Sequence, residues 1–155
     1  MDNIRNIIKA IIIEDGKILL SKCQYSSNEE LCYQFNGGGQ EAGDTFIDAL
    51  KREILEELGA QIDVGKLVWI REYIGKNHEF ANSDFNVHQI EYYFMCKLLS
   101  PIDFNKATHV DKRQIGVEWV PLTNFKNYVV YPNEIKNAIA INGTIISDLY
   151  AGDVN

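Results

Sequence analysis

One amphipathic helix constrains the fold of this 155-residue chain more than any other feature. We predict the helix over Thr45–Leu58, because Thr45 and Asp48 form a helix start signal and Gly59 supplies a stop signal. At about 100° per residue, four apolar side chains fall on one stripe, which needs a sheet to pack against. They are Ile47, Leu50, Ile54 and Leu58.

Apolar and β-branched stretches before and after this helix predict the strands of that sheet. They are Ile4–Glu14, Lys17–Gln24, Cys32–Phe35, Lys66–Tyr73, Val87–Leu98 and Val117–Pro121. Asp15 and Gly16 separate the first two strands, and an Asp-Gly pair predicts a hairpin with a type I′ turn. The tail from Pro132 predicts one or two further helices. This order of elements predicts the α/β (α+β) class, and the length predicts a single domain over residues 1–155.

The net charge of the chain is −7, from 22 acidic and 15 basic residues. A nucleic acid backbone would meet an unfavourable mean field, so the charge argues against polymeric nucleic acid as a partner. The charge leaves small phosphorylated ligands open, because a divalent cation reverses the local sign of an acidic site.

No segment of the sequence predicts membrane insertion or export. The longest apolar stretch, Ile7–Ile13, is interrupted by Lys9 and is far shorter than the ~20 residues of a membrane-spanning helix. The N-terminal residues lack the basic start and apolar block of a signal peptide, so we expect a cytoplasmic protein without membrane contact. Three cysteines without a C-x-x-C pair predict free thiols rather than a disulfide or a zinc site.

The helix carries three glutamates that predict a metal site. Glu53, Glu56 and Glu57 are spaced i, i+3 and i+4, so their side chains lie on one side of the helix. Each like-charge pair costs about 0.2–0.5 kcal/mol in an isolated helix unless a cation binds there. Hard oxygen ligands beside a glycine-rich segment, Gly37–Gly39, suit Mg²⁺ or Mn²⁺. The alternative is a solvated acidic helix face, which is common in acidic proteins.

The segment from Gly38 to Ala60 resembles the Nudix box, whose pattern is G-x5-E-x7-R-E-U-x-E-E-x-G-U, where U is a bulky aliphatic residue. Besides Gly38, six positions match without a gap: Arg52, Glu53, Ile54, Glu56, Glu57 and Gly59. Two positions depart from the pattern, since Asp44 replaces a glutamate and Ala60 replaces a bulky aliphatic residue. The fixed spacing of so many polar positions makes the motif specific.

This resemblance implies an α/β/α sandwich with a mixed central β-sheet. It also implies that Glu53, Glu56 and Glu57 bind Mg²⁺, or Mn²⁺, together with a backbone carbonyl at Gly38. One of these glutamates, or one from outside the box, would take a proton from the attacking water. The implied reaction is hydrolysis of the pyrophosphate bond in a nucleoside diphosphate linked to another group.

Two further residues join the three glutamates in the predicted catalytic set. Arg52 is expected to point away from the metal and to brace the loop through Asp44 or through the carboxylates that neighbour Arg52. Glu118 is the leading carboxylate outside the box for an assisting base or an extra ligand, with an exposed strand carboxylate as the alternative. Glu91 and His88, on one predicted strand, are weaker candidates.

The substrate class stays open at this point. Nucleoside triphosphates and nucleotide sugars such as ADP-ribose are the two classes that compete. Dinucleoside polyphosphates and capped RNA ends also stay open, although the net charge of −7 argues against capped RNA. The alternative to an enzyme is a catalytically weak domain that senses a nucleotide, and the three glutamates favour the enzyme. The apolar stretch Ile135–Tyr150 predicts either a cap on the sheet or the interface of a homodimer.

Overall fold

A computed structural model describes residues 3–24, 29–109 and 114–155, in which nine strands and two α-helices are formed. The strands are β1 (Arg5–Glu14), β2 (Lys17–Cys23), β3 (Cys32–Gln34), β4 (Gly37–Gly39), β5 (Ile62–Ile74), β6 (His88–Leu98), β7 (Gln114–Pro121), β8 (Val130–Tyr131) and β9 (Tyr150–Asp153). The helices are α1 (Phe46–Leu58) and α2 (Ala81–Asp84), and 3₁₀ segments span Gly75–Asn77, Leu122–Asn127 and Asn133–Asn137.

The strands form one curled sheet with the order β8-β3-β2-β1-β6-β5-β9, to which β4 adds beside β1 and β7 beside β2. The sheet is mixed, because β1 runs parallel to β6 while β5 runs antiparallel to it. β1 and β2 pair only next to their turn, where Asp15 and Gly16 have positive φ of 51° and 72°. Both the type I′ turn and the mixed α+β class are therefore confirmed.

Local signals set the ends of α1 as the sequence predicts. Thr45 is the N-cap, and its Oγ1 accepts a hydrogen bond from the Asp48 N–H at 3.1 Å. Gly59 ends the helix with φ of 61°, a left-handed conformation that suits glycine. The buried side chains are Ala49, Leu50, Ile54 and Leu58. Ile47 was expected in this stripe but is 42% exposed, because Phe46 makes the contact with the Tyr92 ring at that end of the helix.

Two apolar clusters lie on the two faces of the sheet. On one face, Leu50 and Ile54 of α1 pack with Ile8 and Ala10 of β1. On the other face, the 3₁₀ segments at 122–127 and 133–137 bury Phe125 and Ile135 in a cluster that includes Ile11, Trp69 and Tyr93. The sheet is thus covered on both sides, but 3₁₀ segments form the second outer layer.

No helix in residues 3–24, 29–109 and 114–155 is long and apolar enough to cross a bilayer.

The C-terminal tail differs from its prediction of one or two helices. After the 3₁₀ segment, the chain makes a turn closed by an antiparallel bridge between Ile139 and Ile145, and it then forms β9, which pairs in parallel with β5. Within the tail, Ile139 is buried whereas Ile141 and Ile146 are 67% and 65% exposed. The tail therefore caps the sheet in part, and the expected homodimer stays a prediction.

The expectation of three free thiols is wrong for two of them. Cys23 and Cys32 are joined by a disulfide, with 5.1 Å between their Cα atoms. The reason is the register of β2 and β3, which places these residues directly opposite each other in the sheet. Cys96 is a free, buried cysteine, and burial raises the pKa of its thiol to about 12.

Candidate active site

The three predicted glutamates line one cavity of about 1100 Å³. Helix α1 presents Glu53, Glu56 and Glu57 to this cavity from the side that borders its buried stripe. The glycine strand β4 forms the neighbouring wall. Strands β1, β2 and β3 contribute Lys9, Lys22 and Gln34 to the lining. We call this space the carboxylate cavity.

Glu57 is fixed by the chain segment just before the glycines. The Asn36 side chain donates from Nδ2 to Glu57 Oε2 at 3.0 Å, and the Gly37 N–H donates to Oε1 at 3.3 Å. Asn36 is buried and is itself held by a 2.6 Å hydrogen bond from Nδ2 to Ser21 Oγ. Burial raises the pKa of Glu57 above its ordinary value, against the opposing effects of Lys9 and these hydrogen bonds.

Glu53 lies against the backbone of Gly38. A Cβ on residue 38 would stand within 2.7 Å of both Glu53 carboxylate oxygens, so only glycine leaves this carboxylate in place. Burial raises the pKa of Glu53, and the negative charge of Glu56 raises it further. The ionised forms of Glu53 and Glu57 are therefore destabilised, and a nearby cation would stabilise them.

Arg52 braces the segment between β4 and α1. Its Nη1 contacts the Asp44 carboxylate, and its Nη2 donates to the Gly39 carbonyl at 3.0 Å. The brace to Asp44 is thus present, and the shorter aspartate reaches the guanidinium directly. The same guanidinium also lies 3.5 Å from Glu53 and 3.7 Å from Glu56. Arg52 therefore does not point away from the glutamates as expected.

The donor chemistry of the carboxylate cavity fits a hard divalent cation. Glu53 and Glu57 are half-buried carboxylates whose raised pKa values reflect burial and mutual repulsion, which a cation would relieve. Among the described residues, no group of three or more His, Cys, Asp or Glu side chains is arranged so that it could hold a metal ion as it stands. The fit thus rests on the oxygen donors and on their electrostatics, and metal binding remains a prediction.

Glu118 lies beside the carboxylate cavity but does not line it. It is on β7 and forms an ion pair with Lys22, whose Nζ is 3.3 Å from Glu118 Oε1. Burial raises the pKa of Tyr33, and the charge of Glu118 raises it further. Lys22 itself does line the cavity, so this ion pair links Glu118 to the cavity wall. Its predicted role as a base or extra ligand is not tested by this geometry.

A second cavity of about 400 Å³ continues from the first. The residues that line both cavities are Lys9, Gln34, Phe35, Gly38 and Gly39. The aromatic rings of Phe80 and Tyr131 meet edge to face at its rim, with 5.2 Å between their centroids. Its other walls carry polar side chains, including Gln89 and Asp84. We call this space the aromatic cavity.

A buried ion pair forms the floor of the aromatic cavity. Arg71 and Glu91 are 5% and 4% exposed, and they make two parallel hydrogen bonds of 2.8 Å each. The Tyr93 hydroxyl donates to Glu91 Oε2 at 2.5 Å. Burial alone would raise the pKa of Glu91, but Arg71, Lys9 and Tyr93 together outweigh burial and lower it. His88, the other candidate on β6, lies 3.8 Å from a Glu72 oxygen and does not line this cavity.

Sequence reasoning missed two residues that shape the site, Lys9 and Asn36. The signal for Lys9 was available, because a lysine interrupts the longest apolar stretch of the sequence. Asn36 carried no comparable signal. Its role depends on β2 and on α1, which bring Ser21 and Glu57 to it from distant parts of the chain.

The chain shares short segments with two curated bacterial proteins. It is 40% identical over 62 residues to the CTP pyrophosphohydrolase of Escherichia coli K12, a match that covers 40% of this chain and 46% of that protein. It is 38% identical over 63 residues to the nucleoside triphosphatase NudI of Enterobacter sp. strain 638, which covers 39% of this chain and 43% of that protein. The matched segment thus spans less than half the length of each relative.

Solved structures share the fold over most of the chain. A NUDIX hydrolase from Nitrosomonas europaea superposes with a TM-score of 0.64 at 20% identity, over 81% of this chain and 77% of that one. An ADP-ribose pyrophosphatase from Streptococcus suis superposes with a TM-score of 0.59 at 16% identity, over 99% and 100% of the two chains. The family model described as the NUDIX domain matches residues 5–138. With that match over most of its length, the chain belongs to the NUDIX domain family.

Proposed function

We propose that this protein hydrolyses the pyrophosphate bond of a nucleoside diphosphate linked to another group, with Mg²⁺ or Mn²⁺ as the cation. The substrate would be a nucleoside triphosphate or a nucleotide sugar such as ADP-ribose. Membership of the NUDIX domain family supports this reaction. The names of the similar proteins, a CTP pyrophosphohydrolase, a nucleoside triphosphatase and an ADP-ribose pyrophosphatase, support both substrate classes.

The observation that carries the proposal is the junction of two chemically different cavities. The carboxylate cavity offers three glutamate side chains for a cation that binds phosphate oxygens. The aromatic cavity offers ring faces and amide groups of the kind that hold a nucleoside. Because the two cavities share a wall, one nucleotide could place its nucleoside in one cavity and its phosphates in the other.

Glu53, Glu56 and Glu57 would hold the cation, and a backbone carbonyl at Gly38 would add an oxygen. When bound, the cation neutralises charge on phosphate oxygens and lowers the pKa of a water molecule. Burial raises the pKa values of Glu53 and Glu57 in the cation-free protein, and a bound cation would offset this effect by stabilising the ionised carboxylates. Asn36 and Gly37 hold Glu57 in a fixed orientation, so its two oxygens keep defined positions.

Arg52 would support the reaction by positioning the segment between β4 and α1, and not by binding the substrate. Its hydrogen bond to the Gly39 carbonyl and its contact with Asp44 hold the glycine strand against the start of α1. The same side chain neutralises part of the charge on Glu53 and Glu56. Loss of Arg52 would therefore disturb both the shape of the carboxylate cavity and the balance of its charges.

The test is Mg²⁺-dependent hydrolysis followed by phosphorus NMR. The panel contains nucleoside triphosphates, ADP-ribose, other nucleotide sugars and dinucleoside polyphosphates. We expect turnover on at least one class and a fall of ~100-fold or more in Glu57→Gln, because the variant loses a carboxylate that serves as ligand or base. Glu14→Gln is the matched control, since Glu14 is exposed at the end of β1 and lines neither cavity.

The products identify the bond that is attacked and so decide between the two substrate classes. Release of pyrophosphate from a triphosphate supports one class, and release of two monophosphates from ADP-ribose supports the other. Absence of turnover on the whole panel, in a protein that still binds Mg²⁺ and nucleotide, would contradict the proposed reaction. Equal turnover by the wild type and Glu57→Gln would contradict the assigned site.

A further inference from the structure

Lys9 is a cation in the apolar middle of β1, a strand whose ends are polar. Side chains alternate along β1, so Lys9 shares its face with Ile7 and Ile11, which are 6% and 0% exposed. Across the sheet its neighbours are Tyr93 on β6 and Gly37 on β4. Partial burial of a lysine between two buried isoleucines costs folding free energy unless the charge interacts with a partner or a ligand.

The ammonium group of Lys9 is only partly satisfied within the protein. Its Nζ donates to the Phe35 carbonyl at 3.1 Å, which occupies one of its three N–H donors. The charge of Lys9 lowers the pKa values of Glu57 and Glu91 against the raising effect of burial. Yet among the described residues no carboxylate oxygen forms an ion pair with Lys9 within 4.0 Å. The charge thus faces carboxylates on two sides without contacting them.

Lys9 also stands where the two cavities meet. It lines both of them, together with Phe35 and the glycine strand. A ligand that reaches from the aromatic cavity to the three glutamates must pass this point. The part of a nucleotide that lies between its nucleoside and its terminal phosphates is the phosphate attached to the ribose.

We propose that the Lys9 ammonium binds an oxygen of the phosphate that is attached directly to the nucleoside. This inference rests on the proposed function, since it assumes that a nucleotide spans the two cavities. A lysine suits the position because it is a compact charge with rotatable donors that can keep the Phe35 contact while binding one phosphate oxygen. Lys9 is then a substrate-binding residue of the site, and not only a counter-charge for Glu57 and Glu91.

The test compares ligands that differ only in phosphate content. Binding of cytidine, CMP and the non-hydrolysable α,β-methylene analogue of CTP is measured by calorimetry in Mg²⁺ buffer, with the adenosine series in parallel. In Lys9→Gln and Lys9→Met we expect Kd for both phosphorylated ligands to rise by about 10- to 100-fold, as for loss of a charge-assisted hydrogen bond. Kd for the nucleoside should change by less than about twofold, and Lys9→Arg should recover part of the loss.

Lys17→Gln is the matched control, because it removes the same charge from an exposed position that lines neither cavity. It should leave all three Kd values unchanged. If Lys9→Gln weakens nucleoside and nucleotide equally, Lys9 is a structural counter-charge and the inference is wrong. The inference is also wrong if Lys9→Gln and Lys9→Met bind the phosphorylated ligands as tightly as the wild type, or if the wild type shows no phosphate-dependent binding.

Failure of this inference is distinguishable from failure of the proposed function. A wild type that hydrolyses nucleotides, with unchanged phosphate binding in the Lys9 variants, refutes the role of Lys9 and leaves the hydrolase standing. A wild type that binds nucleotides through Lys9 without turning any of them over supports the role of Lys9 and refutes the hydrolase.

Discussion

Removal of one partner of the buried Arg71–Glu91 pair should destabilise the protein strongly. In Arg71→Met the Glu91 carboxylate stays 4% exposed but loses both 2.8 Å hydrogen bonds, leaving the Tyr93 hydroxyl as its nearest donor. An unpaired buried charge of this kind costs about 3–5 kcal/mol. For a chain of this size that corresponds to a fall in Tm of roughly 6–20 °C.

The loss extends to the C-terminal residues. Arg71 Nη1 donates to the Val154 carbonyl at 2.7 Å and to Asn155 Oδ1 at 2.9 Å, so the variant also releases the two residues that follow β9. The assay is urea unfolding followed by tryptophan fluorescence, since Trp69 lies two residues before Arg71 on β5. Lys22→Met is the matched control, because the Lys22–Glu118 pair is 31% and 29% exposed and should contribute only about 0–1 kcal/mol.

A second variant and a pH series refine this prediction. Arg71→Met/Glu91→Leu removes both charges and should recover much of the loss, since no unpaired charge remains. The pKa of Glu91 is lowered in the folded state, so its stabilising contribution is complete above its ordinary value of 4.5 and disappears as the pH falls through the lowered value. The advantage of the wild type over the double variant should therefore shrink in acid. A loss below ~1 kcal/mol in Arg71→Met would refute the reasoning, because the pair would then behave as a solvated one.

Three further predictions concern the site and the surface. Gly38→Ala should lower kcat by about 100-fold with little change in Tm, because its Cβ would displace the flexible Glu53 carboxylate. A change in Tm without a change in kcat would contradict this prediction. Glu53→Gln should raise Tm at neutral pH without Mg²⁺, because the raised pKa of Glu53 makes its ionised form unfavourable in the folded protein. The gain in Tm should vanish below pH 4.5, the ordinary pKa of a glutamate, where the carboxyl is protonated in both states. A lower Tm of the variant at neutral pH would refute this prediction. If the chain forms a homodimer through its tail, Ile141→Ser/Ile146→Ser should give a monomer by sedimentation with unchanged Tm, whereas a monomeric wild type would refute the dimer.

Local rules account for the parts of the structure that the sequence predicts well. The start and end of α1 follow from a side-chain cap at Thr45 and a left-handed glycine at Gly59, both of which act within one helical turn. The β1–β2 turn follows from Asp15 and Gly16 in the same way. The three glutamates share one cavity because their helical spacing places them together beside the buried stripe of α1.

The features that the sequence does not predict depend on contacts between distant segments. β9 pairs with β5, and Asn155 reaches Arg71, across more than half the length of the chain. The sequence of the tail predicts helices, but the end of the tail instead pairs with the edge of β5, and this pairing determines its conformation. Cys23 and Cys32 meet only because β2 and β3 are in register. The aromatic cavity is likewise formed by β1, β5 and β6 together, so the sequence of any one segment does not predict it.

The charges of the carboxylate cavity explain why a cation and a nucleotide would enter it together. Among the described lining residues, Glu41, Glu53, Glu56 and Glu57 face only two lysines, Lys9 and Lys22. Lys22 is already paired with Glu118, so a phosphate group that arrived alone would meet mainly carboxylates. A divalent cation that arrived alone would have to exchange much of its hydration shell for glutamate oxygens. Arg52 already neutralises part of the charge of Glu53 and Glu56, which weakens their attraction for the cation. Bound together, the cation offsets the glutamates and the phosphate, while Lys9 holds the phosphate nearest the aromatic cavity. The affinities for cation and nucleotide should therefore rise together, each increasing the other by the same factor.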